Sequence, residues 1–398
     1  MESRKGYDTY TRFTVHKASK EFPASLEDLK KEDPKKAYQQ LGIYYAFNER
    51  HQALAENYLE QYLAGVENNL EKAEALVYLA YTKTIDPTFR EEQLFDQVLA
   101  LLGDQKQEEA LITRAFAMQY KALMQHRKAI QTGSVYLDTA IILVKEAIAS
   151  QRELCKTNSL IKIGLAEALH LQAIMLTRLG DVKKDSEYFV AADELFVEAA
   201  QLEKEFCEET NAPHFLTAIT LQSHAMVLMK LKRNNAAMEK LSTAHADQLA
   251  LFKIDVHPDI AKTLHFMGEV QAAAHNYTSA ANAYLDALIC KKQIVYKDNY
   301  MVNVTEKKLS ETLTIMSKLD IKTEYLFALH KKIYKRLTGD MKEKFVNRDE
   351  EFVTTIKIEM ERLRDIVSRQ ARRVYDVNPV RNDYTALDGM APRRHSLN

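Results

Sequence analysis

Twelve histidines, three cysteines and 56 carboxylates are the residues of this 398-residue chain best suited to chemistry. Their spacing gives them little to do. His265 and His275 stand ten apart and His245 and His257 twelve. Neither pair shares a helix face at the i, i+4 spacing of a metal site. Cys155, Cys207 and Cys290 form no CxxC pair. An odd, scattered set fits a reducing, cytoplasmic compartment rather than a disulfide scaffold or a thiolate zinc site. The strings GxSxG, HExxH, GxxxxGKS/T and GxGxxG do not occur. No acid/base pair stands out among the 56 carboxylates. The sequence therefore predicts no catalytic residue, no metal and no cofactor. An enzyme on this chain ranks third, behind two kinds of binding protein.

Composition narrows what must position any site. Ten glycines and seven prolines are few, against an average glycine usage of about 7%. That excludes glycine-rich phosphate loops and sandwiches full of tight turns, and it leaves long helices uninterrupted. Lys+Arg 55 against Asp+Glu 56 gives a net charge of −1, so bulk charge predicts neither a nucleic acid nor an anionic membrane as partner. No long uncharged apolar run reads as a membrane span, and the first residues, MESRKGYDTYTRFTVHK, lack the apolar core of a secretory signal. Secretion into a host cell by a route that reads other signals would escape this test.

From about Lys35 the pattern is helical. Good helix formers dominate, and apolar residues recur at three and four, as in Leu137, Ala140, Ile141, Val144, Ala147 and Ile148. Breaks are expected at Asp86-Pro87, Gly103-Asp104, Gly133-Ser134, Gly180-Asp181, Asn211 to Pro213, His257-Pro258 and Gly339-Asp340. No run alternates as a strand does. The fold class is all-α.

Two segments repeat. Leu221, Ala225, Ala237, Leu241 and Ala244 recur as Leu264, Gly268, Ala280, Tyr284 and Ala287, each 43 residues on. Small residues at Ala225/Gly268 and Ala237/Ala280 let two antiparallel helices approach closely. A weaker copy lies upstream, with Leu169, Ala173 and Leu176 before Gly180 and Ala192, Phe196 and Ala199 after it. Its small residue is 52 before the next, which implies an insertion around Asp181–Ser186. At these residues the chain resembles the tetratricopeptide repeat family, through Gly268, Ala280, Tyr284 and Ala287. The long period and the opening His257-Pro258-Asp259-Ile260-Ala261 look like the kinesin-light-chain subtype. Leu41-Gly42-Ile43-Tyr44-Tyr45, with Ala53 and Ala55, hints at a further copy near the start. The resemblance implies an α-solenoid of antiparallel hairpins, a superhelix closed by a C-terminal capping helix.

It also implies a concave groove lined by the first helix of each repeat. Helix periodicity places His170, Ile174 and Arg178 of the first repeat there, with Gln222, Met226 and Lys230 of the second and Lys262, His265 and Glu269 of the third. This mixed, mildly cationic set suits a partner peptide or helix with some negative charge. The lysine and asparagine clamp that related domains use for chaperone tails is missing, because Gln222, Ser223 and Met226, then His265, Phe266 and Glu269, stand at its positions. The backbone-holding asparagine of kinesin light chains is replaced by Ser223 and Phe266.

The remainder is read more coarsely. Lys322–Phe345 carries a local +4, as a solvated helix face near a helix C-terminus would; contact with acidic lipid or nucleic acid is the other use. Asp340–Asp376 reads as one helix with Ile356, Met360, Leu363, Val367 and Val374 in a stripe that caps the array in preference to pairing two chains. Ser396 follows Arg393-Arg394-His395, as in a basophilic kinase site. The expected organisation is 1–34 loosely ordered, 35–165 degenerate hairpins, 166–300 repeats, 301–376 cap and 377–398 tail. The leading functional expectation is a non-catalytic scaffold or adaptor for protein partners. The alternative is a regulator, or a secreted bacterial effector, that modulates one specific protein.

Overall fold

A computed structural model describes residues 30–31, 33–46, 52–83, 92–132, 135–211, 214–253, 256–294 and 300–318. Ser396, the basic Lys322–Phe345 segment and the helix expected over Asp340–Asp376 lie outside the described residues. Among the described residues the chain is all-α, without a strand. The helices are α1 (Pro34–Ala46), α2 (Gln52–Leu63), α3 (Asn69–Lys83), α4 (Glu92–Leu102), α5 (Glu108–Thr132), α6 (Val135–Cys155), α7 (Lys162–Lys183), α8 (Glu187–Thr210), α9 (Phe215–Lys230) and α10 (Asn234–Phe252). Three more follow, α11 (Pro258–Ala273), α12 (Tyr277–Ile294) and α13 (Tyr300–Lys318). The chain divides into two compact units after Lys253, a point inside the segment read as the repeat block.

In the first unit every helix packs on the next, and α1, α3, α5, α7 and α9 also touch one another in succession. This is solenoid packing: the odd helices form one continuous layer, and each even helix backs its own hairpin. In the second unit α12 packs between α11 and α13. The residue that ends a helix seldom needs to be glycine here. Lys184, Asn211, Lys232, Lys253 and His275 take left-handed φ values between 51° and 61°. Each such non-glycine position costs about 1–2 kcal/mol. The Arg233 N–H to Leu228 carbonyl and Asn276 N–H to Gln271 carbonyl bonds, both 2.8 Å, close the turns beside Lys232 and His275. That is how the chain dispenses with glycine. The break expected at Gly180 does not occur. Gly180 is a buried helical residue, α7 runs on to Lys183, and a Cβ at 180 would come within 2.7 Å of the Phe189 ring.

The first copy's extra length is helix rather than loop. Ala173 and Ala192 lie 19 apart where Ala225 and Ala237 lie 12 apart, because α7 is longer at its end and α8 at its start. Repeat starts are marked by histidine. The Nδ1 atoms of His214 and His257, 43 residues apart, accept the Leu216 and Asp259 backbone N–H groups at 3.3 and 3.2 Å as N-caps of α9 and α11. α7 and the turn before it are long and apolar enough to cross a membrane by length and composition alone, and that stretch is mostly buried within the first unit.

The small-residue register holds. Ala225, Ala237, Leu241, Ala244, Ala280, Tyr284 and Ala287 are all buried. A Cβ on Gly268 would fall 2.6 Å from the Tyr284 ring, and one on Gly42 2.6 Å from the Leu59 side chain. In both hairpins a glycine on the first helix therefore seats a large side chain of the second. Ala281, next to Ala280 on α12, is fully buried as well. α12 is covered on two sides, by α11 and by α13, so both neighbours of the turn of helix face protein. Ala280→Leu is expected to cost the second unit roughly 1–3 kcal/mol by overpacking. Ser279, exposed on the same helix, supplies the control. Thermal melts in which Ser279→Leu loses as much as Ala280→Leu would contradict the register.

Candidate functional site

The nine residues read as groove-lining fall into two groups in the structure. Ile174, Arg178 and Met226 are half-buried and Lys230 is exposed on the odd-helix layer of the first unit. His170, Gln222 and His265 are buried, and their assignment to an open groove is corrected. Each stands three residues before the small residue of its repeat, Ala173, Ala225 or Gly268. Residues three apart share a helix face, so these three turn with the small residues into protein. Residues one and five after the small one, Ile174 and Arg178, then Met226 and Lys230, keep some exposure. In the second unit Lys262 and Glu269 are half-buried. The Lys262 ammonium lies 5.6 Å from the Phe266 ring centre.

The buried histidines staple one repeat to the next. His170 Nδ1 on α7 lies 2.9 Å from Thr220 Oγ1 on α9, and that hydroxyl donates to Glu203 Oε1 on α8 at 2.6 Å. His265 Nδ1 on α11 lies 3.0 Å from Thr305 Oγ1 on α13, which also accepts from the Lys291 ammonium at 2.6 Å. Thr220, Thr263 and Thr305 are spaced 43 and 42 apart. α13 thus occupies the first-helix position of a further repeat, within the segment read only as a cap.

A second polar line crosses the first unit. His224 Nε2 lies 2.6 Å from Asp193 Oδ1, and the Arg233 guanidinium holds Oδ2 at 2.5 Å. The Phe196 ring sits between the two histidines. It meets His170 edge-on at 5.4 Å and stacks on His224 at 5.6 Å. Sequence reading missed Glu203, Thr220, Asp193, Lys291 and Thr305. The one available signal was threonine at the 43-residue period, which composition alone does not distinguish from an ordinary helix residue.

Electrostatics follow from burial. Burial pushes the Glu203 carboxyl up to about 8, with the Thr220 bond opposing. Burial lowers His265 to about 4, helped by Lys291 and Lys308, and lowers Lys291 to about 8. His224 is lowered by burial, against the pull of Asp193. A carboxyl, a hydroxyl and an imidazole in line resemble a proton relay. All three here are almost wholly enclosed, and the line ties α7, α8 and α9 together.

The open part of the layer is the candidate site. Ile174 packs against the Phe196 cluster, with Ser223 and Met226 half-buried on α9. Its cations are engaged. The Lys230 ammonium pairs with Asp181 at 2.6 Å, linking α9 to α7, and Arg178 Nη2 donates to the Ala129 carbonyl at 3.1 Å. Among the described residues no cluster of three His, Cys, Asp or Glu side chains forms a metal site.

No family model matches the chain, and no curated protein does. Among solved structures, the crystal structure of the apo form of RapI is similar at 15% sequence identity, covering 86% of this chain and 99% of that one, with a TM-score of 0.38. The assignment to helical repeats of the solenoid class rests on the hairpins and their small-residue register.

Proposed function

We propose that this chain is a non-catalytic, cytoplasmic protein-interaction scaffold of tetratricopeptide type, close in repeat length to the kinesin-light-chain subtype. It holds a partner peptide or helix on the odd-helix layer of its first unit. The observation that carries this reading is the contrast along α7 and α9. Polar groups on the buried side of those helices are spent tying repeats together, while Ile174, Met226 and Ser223 keep a partly open, weakly polar surface between them. A soft methionine beside aliphatic surface suits a bound helix or extended peptide. Three free cysteines among the described residues agree with a reducing location.

The test leaves the internal ties alone. Lys230→Glu is unsuitable because it would break the pair with Asp181. Met226→Glu combined with Ser223→Arg places charge on the half-buried surface and removes no observed bond. Partner capture from the native cell is expected to fall at least tenfold, with an unchanged circular dichroism spectrum. Undiminished capture by the folded double variant would remove the groove from the account.

A further inference from the structure

Of the two groove cations of the first unit, Arg178 and Lys230, Arg178 is the one without a carboxylate partner among the described residues. Its Nη2 caps the Ala129 carbonyl near the end of α5, while its Nε is buried without a hydrogen-bond partner. Lys230 and Arg233, on or just after the neighbouring helix α9, have Asp181 and Asp193. A buried Nε–H without an acceptor carries an uncompensated desolvation cost. Beside it lies a second such group. His126, on α5, is 5% exposed, and its Nδ1 is buried without a partner. Burial, Arg178 from α7 and Arg127 from α5 itself hold this imidazole near 4, in its neutral form. The nearby negative charge is already taken. Glu92 of α4 accepts from Lys128 at 2.8 Å and from Gln125, and Asp96 accepts from Lys121 at 2.6 Å.

We propose that Arg178 and His126 form an anion-binding corner of the inner layer, taking one carboxylate or phosphate group of the partner, an inference that rests on the groove reading above. The two orphaned nitrogens supply the recognition. Arg Nε–H donates to one oxygen of the anion. The anion's charge then favours the imidazolium, so His126 gains a proton as the anion enters, and its Nδ1–H becomes the second donor. Binding is therefore coupled to uptake of one proton and tightens as the pH falls, within the range where the protein stays folded. Arg178 at five residues after Ala173 lies on the same stripe as Ile174, so the partner's acidic group sits about one helical turn from its apolar contact.

The experiment follows the His126 imidazole signal by nuclear magnetic resonance across a pH titration of the full chain. It is run alone, in inorganic phosphate, and in acetate. His126→Gln assigns the signal. The midpoint is expected to rise by about one pH unit or more in at least one saturating anion. That rise should vanish in Arg178→Gln, with Arg178→Lys as the variant that keeps the Ala129 cap and the charge but loses the planar fork. A larger response to phosphate points to a phosphorylated partner and an equal one to aspartate or glutamate; both support the corner. No response to either anion, or a response that persists in Arg178→Gln and Arg178→Lys alike, overturns it. Capture that depends on Met226 without any anion response removes the corner and keeps the groove. An anion response in a chain whose capture ignores Met226→Glu removes the groove, and with it the partner's role here.

Discussion

Between pH 6.5 and pH 4 the two buried histidines of the first unit are expected to withdraw their share of its stability. His126 and His214 are both buried, and burial lowers each from the ordinary 6.5 to about 4. The unfolded chain takes up both protons near pH 6.5, whereas the folded unit resists until pH 4. At these two sites the unfolded state binds more protons in that window, so their contribution to stability falls as pH falls. The loss begins at the unfolded value and is complete below the folded one. Each histidine is worth on the order of 3 kcal/mol over that span, set against a total of roughly 5–15 kcal/mol for an ordinary domain. His214 has a further reason to fail, since a protonated Nδ1 can no longer accept the Leu216 N–H that starts α9. His265 imposes the same trend on the second unit. His214→Asn isolates the effect, because asparagine caps a helix at least as well and does not titrate here. Urea midpoints are measured every half unit from pH 7 to pH 4, and the wild-type midpoint is expected to drop relative to that of His214→Asn as the pH falls. Parallel curves for the two proteins would show that His214 is not buried in its neutral form.

How much of this was visible in the sequence depends on what each residue competes with. Gly268, Ala280, Tyr284 and Ala287 stood out because a glycine or alanine at a fixed helical offset has few other reasons to recur, and the structure packs Gly268 against the Tyr284 ring. The turns were harder. Lys184, Lys232 and His275 carry left-handed backbones that sequence reading reserves for glycine, while Gly180, the residue that resembled a break, lies inside α7 to admit the Phe189 ring. The groove was half legible. Ile174 and Met226 follow the small residue by one and keep some exposure. His170, Gln222 and His265 precede it by three and share its buried face. The same periodicity that found the repeat would have excluded them, had the small residue rather than the polar one fixed the wheel. Glu203 was hidden for another reason. Nothing about one glutamate in an acidic helix such as α8 shows that the helix turns it inward onto Thr220.

That buried glutamate carries the opposite pH dependence. The Glu203 carboxyl is fully enclosed and pushed up to about 8, its Oε1 accepts from Thr220, and its Oε2 has no partner. The folded unit keeps the proton until about pH 8, while the unfolded chain releases it near the ordinary 4.5. Between those values the folded state binds more protons, so stability declines as pH rises and levels off above pH 8. Half-buried Glu74, pushed up to about 7 by burial and by Glu71, tilts the curve the same way. Two histidines oppose these two carboxyls between 4.5 and 6.5, the carboxyls act alone above that range and the histidines alone below it. The first unit should therefore be most stable at mildly acidic pH, with the steepest loss on the alkaline side between pH 6.5 and 8. Glu203→Gln separates the two causes. The amide has the same shape, keeps an oxygen for the Thr220 hydroxyl and never ionises. At pH 9 the variant is expected to be more stable than wild type by on the order of 4 kcal/mol, and near pH 4.5 the gain should vanish. Guanidinium unfolding at the two pH values measures the difference directly. A variant less stable than wild type at pH 9 would mean that the folded protein holds Glu203 ionised well below pH 8, stabilised by its bond from Thr220.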